Sequence, residues 1–152
     1  MKKWWVAFTF STLAACNPVA KNDLIIDIKS IVNKNPEQVT EMLGKPDTSY
    51  SKMIFGKRFF IQQYEKLNKA EIRFLNDVSH EVIINNTRGL DFDPSSLKKF
   101  GFEEKAPSSF DTTAFYVWKN LNDIQLANMY LIGTSRTDSA KHNFKIYFRL
   151  RK

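Results

Sequence analysis

The stretch NPEQVTEMLGKPD, residues 35–47, decides the fold, because it marks one short helix and separates it from the strands that follow. Asn35 can cap a helix, Pro36 suits the first helical position, and the glutamine three residues after the cap completes a capping box. Gly44 can adopt the left-handed conformation that ends a helix, and Pro46 blocks its continuation. The predicted apolar face of this helix contains Val39, Met42 and Leu43.

Strand-like runs follow this helix in pairs. Gly56-Lys57 and Asn76-Asp77 are turn signals, and each lies between two runs rich in aromatic and β-branched residues. In AEIRFL, apolar and charged residues alternate, which predicts one buried and one wet face. The predicted strands of this part are residues 49–55, 58–65, 70–75 and 78–86. Before the helix, LIIDIKSIV at 24–32 has apolar residues at helical spacing, although its β-branched content also favours a strand.

The second part of the chain repeats this order more loosely. Asp93 and Pro94 can start a second helix that Gly101 would close, and three strand-like runs follow it. The predicted strands are residues 113–120, 124–133 and 143–151. The fold class is therefore α+β, with short helices packed on an antiparallel sheet. Residues 24–152 form one predicted domain, whose halves 24–88 and 89–152 suggest tandem repeats; equally, helix starts of this kind are common by chance.

The first residues, MKKWWVAFTFSTLAAC, have the layout of a secretory signal peptide. Two lysines precede a mostly apolar run at 4–13, small residues follow, and the run is too short for a permanent transmembrane helix. The alternative is a buried N-terminal strand or helix of the domain. The layout predicts a signal peptide at 1–15.

The close of this segment resembles the lipobox of bacterial lipoproteins, an aliphatic residue and two small residues before a cysteine. Leu13, Ala14, Ala15 and Cys16 match that pattern in order. The resemblance implies that signal peptidase II recognises Leu13, Ala14 and Ala15, cuts before Cys16, and leaves Cys16 carrying lipid. Residues 16–23 then form a lipidated tether. Asn17 replaces the aspartate that marks inner-membrane retention in Gram-negative families, which favours the outer membrane.

Residues 33–85 are similar to the small outer-membrane-assembly lipoproteins of the SmpA/OmlA family and to the wider β-lactamase-inhibitor-protein-like fold. Val39, Leu43, Gly44 and Pro46 match the V-x-x-x-L-G-x-P ending of the helix in those proteins. A weaker echo at 93–150 lacks the proline after its glycine. The resemblance implies a protein-binding or adaptor module without catalysis.

Composition and charge narrow the class of partner. Thirteen phenylalanines and 43% hydrophobic residues can fill a core, which excludes a disordered chain. The net charge is +7, and removing Lys2 and Lys3 with the signal peptide leaves 21 basic residues against 16 acidic ones, or +5. Export makes nucleic acid a poor partner, so anionic lipid, lipopolysaccharide or an acidic protein is expected, against the plain alternative of a solvated basic surface. A basic run near the C-terminus could face lipid.

The sequence offers little for catalysis or metal binding. His80 and His142 are predicted surface residues, and the serine and aspartate close to His142 in sequence cannot easily form a triad. Asp91 and Asp93 could ligate a metal, but a helix cap is the better interpretation of Asp93. We therefore expect no enzyme activity, cofactor, metal or small-molecule substrate. With its single cysteine lipidated, the exported domain has no disulfide.

One strand suggests a partner surface. Alternation places Tyr116 and Trp118 on one face of the run 113–120, with Phe115 and Val117 on the other. If one face is core, the other exposes large apolar groups that could anchor a protein interface, and Tyr116 and Trp118 are the candidate partner surface. The alternative is a strand buried on both faces. We thus expect a lipid-anchored, noncatalytic module of the cell envelope that binds an envelope protein. The alternative is an inhibitor or immunity-type lipoprotein that blocks an enzyme or phage.

Overall fold

The computed structural model describes residues 24–121, 124–132 and 144–150. The predictions of a signal peptide, a lipobox and a tether lie outside the described residues, and so does His142. Within these three ranges, no helix is long and apolar enough to cross a membrane.

The described chain is mostly sheet, with one α-helix and two short 3₁₀ helices. The α-helix, α1, spans Pro36–Leu43, and the 3₁₀ helices span Ile28–Ile31 and Pro94–Phe100. The strands are β1 (Thr48–Ile54), β2 (Lys57–Tyr64), β3 (Ala70–Leu75), β4 (Val78–Ile84), β5 (Ser109–Asp111), β6 (Phe115–Leu121), β7 (Ile124–Leu131) and β8 (Phe144–Leu150). The α+β class agrees with this composition at a coarse level.

The eight strands of the described ranges belong to one antiparallel sheet, in the order β1-β2-β3-β4-β8-β7-β6-β5. Each half of the chain contributes four strands in which every strand pairs with the next one in sequence. The two sets join where β4 pairs with β8, with Val82 opposite Phe148 and Ile84 opposite Ile146. The sheet is therefore continuous across the middle of the chain.

Helix α1 forms as its sequence predicts. The Asn35 side chain accepts a hydrogen bond from the Gln38 backbone N–H at 2.8 Å, and the Gln38 side chain accepts one from the Asn35 N–H at 3.1 Å. Val39 is fully buried against the sheet, while Met42 is exposed, so the apolar face is narrower than predicted. The helix ends before Gly44, whose φ of 87° is positive but whose ψ of −179° lies outside the left-handed helical conformation that the sequence predicted.

Two predicted helices differ from the structure. Of the run 24–32, only a single 3₁₀ turn forms, capped by Asp27 and followed by Asn33 at a φ of 60°. The chain before this turn is held by the second half, because the Ile25 N–H donates to the Lys99 carbonyl at 2.8 Å. The helix predicted after Asp93 is also 3₁₀. Strand β5 was missed, since its three residues are all exposed and carry no alternation.

The main core lies on one side of the sheet, which we call the covered face. The residues packed over it come from two segments outside the sheet, at 24–43 and 87–105, and they contact inward residues of strands from both halves. Phe100 and Phe148 are in contact with ring centroids 5.4 Å apart. The Ser79 hydroxyl donates to the Ile31 carbonyl, which fixes the first 3₁₀ helix on β4.

Candidate functional site: the open face of the sheet

The predicted partner surface at Tyr116 and Trp118 is corrected by the structure. Both side chains belong to the core of the covered face, with 8% and 1% of their surface exposed. The Trp118 indole N–H donates to the Lys105 carbonyl at 2.8 Å, so the segment above the sheet satisfies its polar atom. These two residues are not available to a partner, because the face they share is the one that the irregular segments cover.

The exposed aromatic side chains of this region are their neighbours. Phe115 lies on the other side of β6 and is 38% exposed, and Phe110 on β5 is 60% exposed. Phe110 stacks on Tyr116 with ring centroids 6.3 Å apart, so it extends the edge of the covered face. Phe115 pairs in register with Tyr130, which is partly exposed.

The opposite side of the sheet, which we call the open face, is the candidate site. Its central row runs across seven strands through register partners: Tyr50, Ile61, Arg73, Glu81, Arg149, Leu126 and Lys119. A small apolar cluster on this side consists only of strand residues: Phe59, Ile61 and Leu75, with Tyr50 and Ile54 partly buried beside them. No described segment outside the sheet contributes to that cluster.

A hydrogen-bonded polar network, which we call the Glu81 network, occupies the centre of the open face. Glu81 accepts from the Tyr147 hydroxyl at 2.7 Å and from Arg73 Nη1 at 3.2 Å. Arg73 Nε also donates to Glu71 at 2.6 Å. Arg149 Nε donates to the Tyr147 oxygen at 3.1 Å, and the guanidinium lies 4.0 Å from Glu81. The three hydrogen bonds to Glu81 and Glu71 are charge-assisted, and such bonds are stronger than bonds between neutral groups.

The network continues toward the edge of the sheet. The Gln63 side-chain amide lies 3.3 Å from Glu71 and 3.2 Å from the Tyr50 hydroxyl, and it donates to both. Hydrogen bonds between side chains thus link strands β1, β2, β3, β4 and β8. Because each side chain is held by its neighbours, the face presents an ordered polar surface.

The electrostatics of the Glu81 network are balanced. Two carboxylates face two guanidiniums, and the pKa of Arg73 is raised: burial acts to lower it, but hydrogen bonds and charge from Glu71 and Glu81 outweigh burial. Burial, together with the hydrogen bond to Glu81, raises the pKa of Tyr147 to about 12, so this phenol is neutral at ordinary pH. Arg149 is the most exposed charged member, with 45% of its side chain accessible.

Less polar surface borders the network on both sides. Toward the β3–β4 turn, the His80 ring stacks on Phe59 with centroids 5.9 Å apart. Toward β6, Asn128 lies in register between Val117 and Tyr147, and its buried side-chain oxygen has no hydrogen-bond partner among the described residues. The open face therefore has one buried acceptor without a hydrogen bond near β7, beside the hydrogen-bonded Glu81 network. Leaving such an acceptor unsatisfied costs free energy.

The structure places the other predicted residues apart from this site. Asp93 caps the second 3₁₀ helix, because its carboxylate accepts from the Ser95 N–H at 2.8 Å, and the hydrogen bonds from Ser95 lower its pKa. The cap interpretation of Asp93 is thereby confirmed. Within the described ranges, no three His, Cys, Asp or Glu side chains are grouped as metal ligands would be. His80 is half-buried rather than a freely exposed surface residue.

A shallow groove of about 360 Å³ lies on the covered side, between α1 and β2. Its lining includes two carboxylates of the helix, Glu37 and Glu41, and the side chains of Phe60 and Gln62. The Gln62 amide donates to the Thr40 hydroxyl at 3.1 Å, so the floor of the groove is internally bonded. No residue of the Glu81 network lines this groove.

Sequence reasoning missed the Glu81 network, although part of its signal was present. Alternation in residues 70–75 and 143–151 places Glu71, Arg73, Tyr147 and Arg149 on wet strand faces. Nothing in the sequence shows that β4 and β8 are neighbours, so the meeting of these side chains at Glu81 could not be predicted.

No protein-family profile, curated protein or solved structure matches this chain.

Proposed function

We propose that this protein is a lipid-anchored, noncatalytic binding or adaptor module of the cell envelope, and that it binds a protein partner through the open face. The observation that carries this proposal is the ordered Glu81 network on the open face, beside an apolar cluster to which no described segment outside the sheet contributes. The resemblance to envelope lipoproteins supports the choice of compartment and of a protein as partner.

The chemistry of the open face suits a protein more than a small ligand. Arginine and aromatic residues are enriched in the cores of protein interfaces, and this face combines Arg149 with Tyr130 and Phe115. Because hydrogen bonds already fix the Glu81 network, little side-chain entropy would be lost on binding. Small molecules usually bind in concave pockets, and the groove at α1 and β2 contains no group of the Glu81 network.

Site-specific crosslinking tests this proposal. A photoreactive phenylalanine would replace Phe115 on the open face, and in a matched control it would replace Phe110 at the edge of the covered face. We expect a discrete adduct with one envelope protein from position 115 in living cells, and much less from position 110. Arg149→Ala, which removes the most accessible charge of the Glu81 network, should reduce that adduct. Equal adducts from both positions, or an adduct unaffected by Arg149→Ala, would contradict docking on the open face.

The same experiment distinguishes the alternative. If the crosslinked partner is an enzyme whose turnover stops when this protein is added, the protein acts as an inhibitor or immunity-type lipoprotein. If the partner keeps its activity or gains an interaction, it acts as an adaptor. Purified protein that turned over a substrate by itself would refute both.

The lipid anchor is proposed from the sequence of residues 13–16. Two or three acyl chains on Cys16 would hold the protein at a membrane, since each buried CH₂ contributes about 0.8 kcal/mol. Cells labelled with radioactive palmitate should mark the wild type but not Cys16→Ser. Asn17 supports an outer-membrane address, which fractionation of inner and outer membranes checks.

We also infer that the two halves, 24–88 and 89–152, are copies of one ancestral unit. Each half contains a helix that begins at a capped proline and then four strands paired in sequence order. The joining of the halves through the last strand of each is the arrangement that two copies related by a twofold axis would produce. Related sequences should show Asn35-Pro36 aligning with Asp93-Pro94; halves that never align would contradict a duplication.

A further inference from the structure

The tip of the β1–β2 hairpin exposes an aromatic side chain in an unfavourable backbone conformation. Phe55 and Gly56 form the turn, with φ angles of 47° and 75°. Two consecutive positive φ angles are typical of a type I′ turn, which favours asparagine, aspartate or glycine at both central positions. The Phe55 ring is fully exposed, so it repays none of this strain by contacts within the described fold.

The surroundings of Phe55 are apolar and basic. Met53 is 57% exposed, and Lys52, Lys57 and Arg58 are exposed beside it. None of the three cations forms an ion pair with another described residue. No acidic residue occurs in the sequence between Asp47 and Glu65, so the hairpin tip is purely cationic.

The hairpin extends beyond its neighbour in the sheet. Pairing of β2 with β3 begins at Phe60, while pairing of β1 with β2 continues to Ile54 and Lys57. The tip therefore projects past the end of β3. Register places Lys52 and Lys57 on the open-face side and Arg58 with Met53 on the covered-face side, so cations surround the apolar tip on both sides.

We propose that this hairpin tip is a membrane contact that inserts Phe55 and Met53 into the headgroup region of an anionic bilayer. Lysine and arginine near an anionic membrane surface gain electrostatic attraction, and exposed apolar side chains add burial. A planar anionic surface can meet cations on both sides of the hairpin at once, whereas a protein surface docked against either sheet face would meet one side only. The proposal concerns a site remote from the Glu81 network and does not depend on a lipid at Cys16.

Vesicle flotation tests the contact with protein that starts at residue 16 and carries Cys16→Ser, which removes both the signal segment and the anchor. Residues 16–152 contain every element and core residue that the structure describes, and comparison of the circular dichroism with that of the full chain checks that the fold is kept. The vesicles are phosphatidylcholine alone, or phosphatidylcholine in which one lipid in three is phosphatidylglycerol. We expect binding to the mixed vesicles, weakened by added salt, and much weaker binding to phosphatidylcholine alone.

The decisive variant is Phe55→Asn, because asparagine is favoured in this turn and the variant should fold at least as well as the wild type. It should weaken binding by about tenfold or more, as expected for loss of one buried phenylalanine. The matched control is Phe110→Asn, which removes another exposed phenylalanine beside Asp111 and should leave binding unchanged. Lys57→Gln should weaken binding by about fivefold.

Several results would overturn the membrane contact. They are absence of wild-type binding to the anionic vesicles, wild-type affinity in Phe55→Asn, an equal loss in Phe110→Asn, or equal binding to neutral vesicles. Circular dichroism and a thermal melt of each variant establish that its fold is intact. Crosslinking from position 115 should be unaffected by Phe55→Asn, so failure of this contact and failure of the proposed open-face docking give different results.

Discussion

Replacing Gly101 by alanine should destabilise the fold through one identifiable contact. Gly101 ends the second 3₁₀ helix with a φ of 82° and a ψ of 15°, the left-handed conformation. A Cβ added there would lie 2.5 Å from the Asp27 carboxylate oxygen Oδ1 and 3.1 Å from its Cγ. That oxygen accepts a hydrogen bond from the Lys29 N–H at 3.1 Å, which caps the first 3₁₀ helix. Gly101→Ala therefore strains its own backbone and displaces the cap of a neighbouring helix.

The two costs can be estimated separately. A left-handed conformation costs a residue with a Cβ about 1–2 kcal/mol. Loss of a capping hydrogen bond costs about 1 kcal/mol more. The free energy of unfolding should thus fall by about 2–3 kcal/mol in Gly101→Ala.

Gly89 provides a matched control, because its φ is 79° and no atom lies within 4 Å of the position of an added Cβ. Gly89→Ala strains only its own backbone, so its free energy of unfolding should fall by about 1 kcal/mol less than that of Gly101→Ala. Urea unfolding followed by circular dichroism measures both, provided that the slope m is unchanged.

A double-mutant cycle isolates the contact with Asp27. Once Asp27→Ala removes the carboxylate, the nearest remaining atom is the Asp27 Cα at 3.5 Å, an ordinary van der Waals distance. In that background, Gly101→Ala should cost no more than Gly89→Ala does in the wild type. If the two alanine variants lose equal stability in the wild type, or if the cycle shows no coupling, the reasoning from this contact is refuted.

Three further predictions concern other parts of the fold. Asn35→Ala should lower the free energy of unfolding by about 1 kcal/mol, because it removes the cap of α1; an unchanged urea midpoint would contradict this. Ser79→Ala should cost about 1–3 kcal/mol by the same assay, since it leaves the Ile31 carbonyl and the Lys34 N–H without their buried partner, and a loss near zero would mean that water replaces the hydroxyl. Because the pKa of Tyr147 is raised to about 12 from 10.0, the unfolded chain loses this proton first, so wild-type stability should fall as pH rises from 10 to 12. Tyr147→Phe should show a smaller fall over that range, and equal slopes for the two proteins would argue against the assignment.

Local features of the fold were predictable where residues within one short stretch determine the backbone conformation. The boundaries of α1 follow from a cap and a closing glycine that act within a few residues, and the turn at Asn76-Asp77 follows from residues that tolerate positive φ. The first hairpin turns one residue earlier than the predicted Gly56-Lys57, because Lys57 pairs with Ile54 and Phe55-Gly56 form the turn. The run 24–32 was harder, because its apolar residues contact the second half of the chain. Its conformation depends on the hydrogen bond from the Ile25 N–H to the carbonyl of Lys99, a residue 74 positions later in the sequence.

The candidate site was only half predictable. Alternation correctly separated the two sides of β6 but could not say which side the irregular segments would cover, so Tyr116 and Trp118 were assigned to a surface and are buried. The same limit applies to the Glu81 network, whose side chains come from β3, β4 and β8. The sequence predicted which strand face most of these side chains occupy, but it did not predict that they lie close together.

The sequence by itself determined the position of α1, the turn at Asn76-Asp77 and the division of β3, β6 and β8 into two sides. It also carries the proposed lipid anchor at Cys16, which rests on four consecutive residues. Only the tertiary structure decided that β4 pairs with β8, that one side of the sheet is covered, and that Phe55 stands exposed at the tip of a projecting hairpin. The physical reason is the range of the forces: capping and turn preferences act between near neighbours, while burial of a sheet face depends on segments distant in sequence.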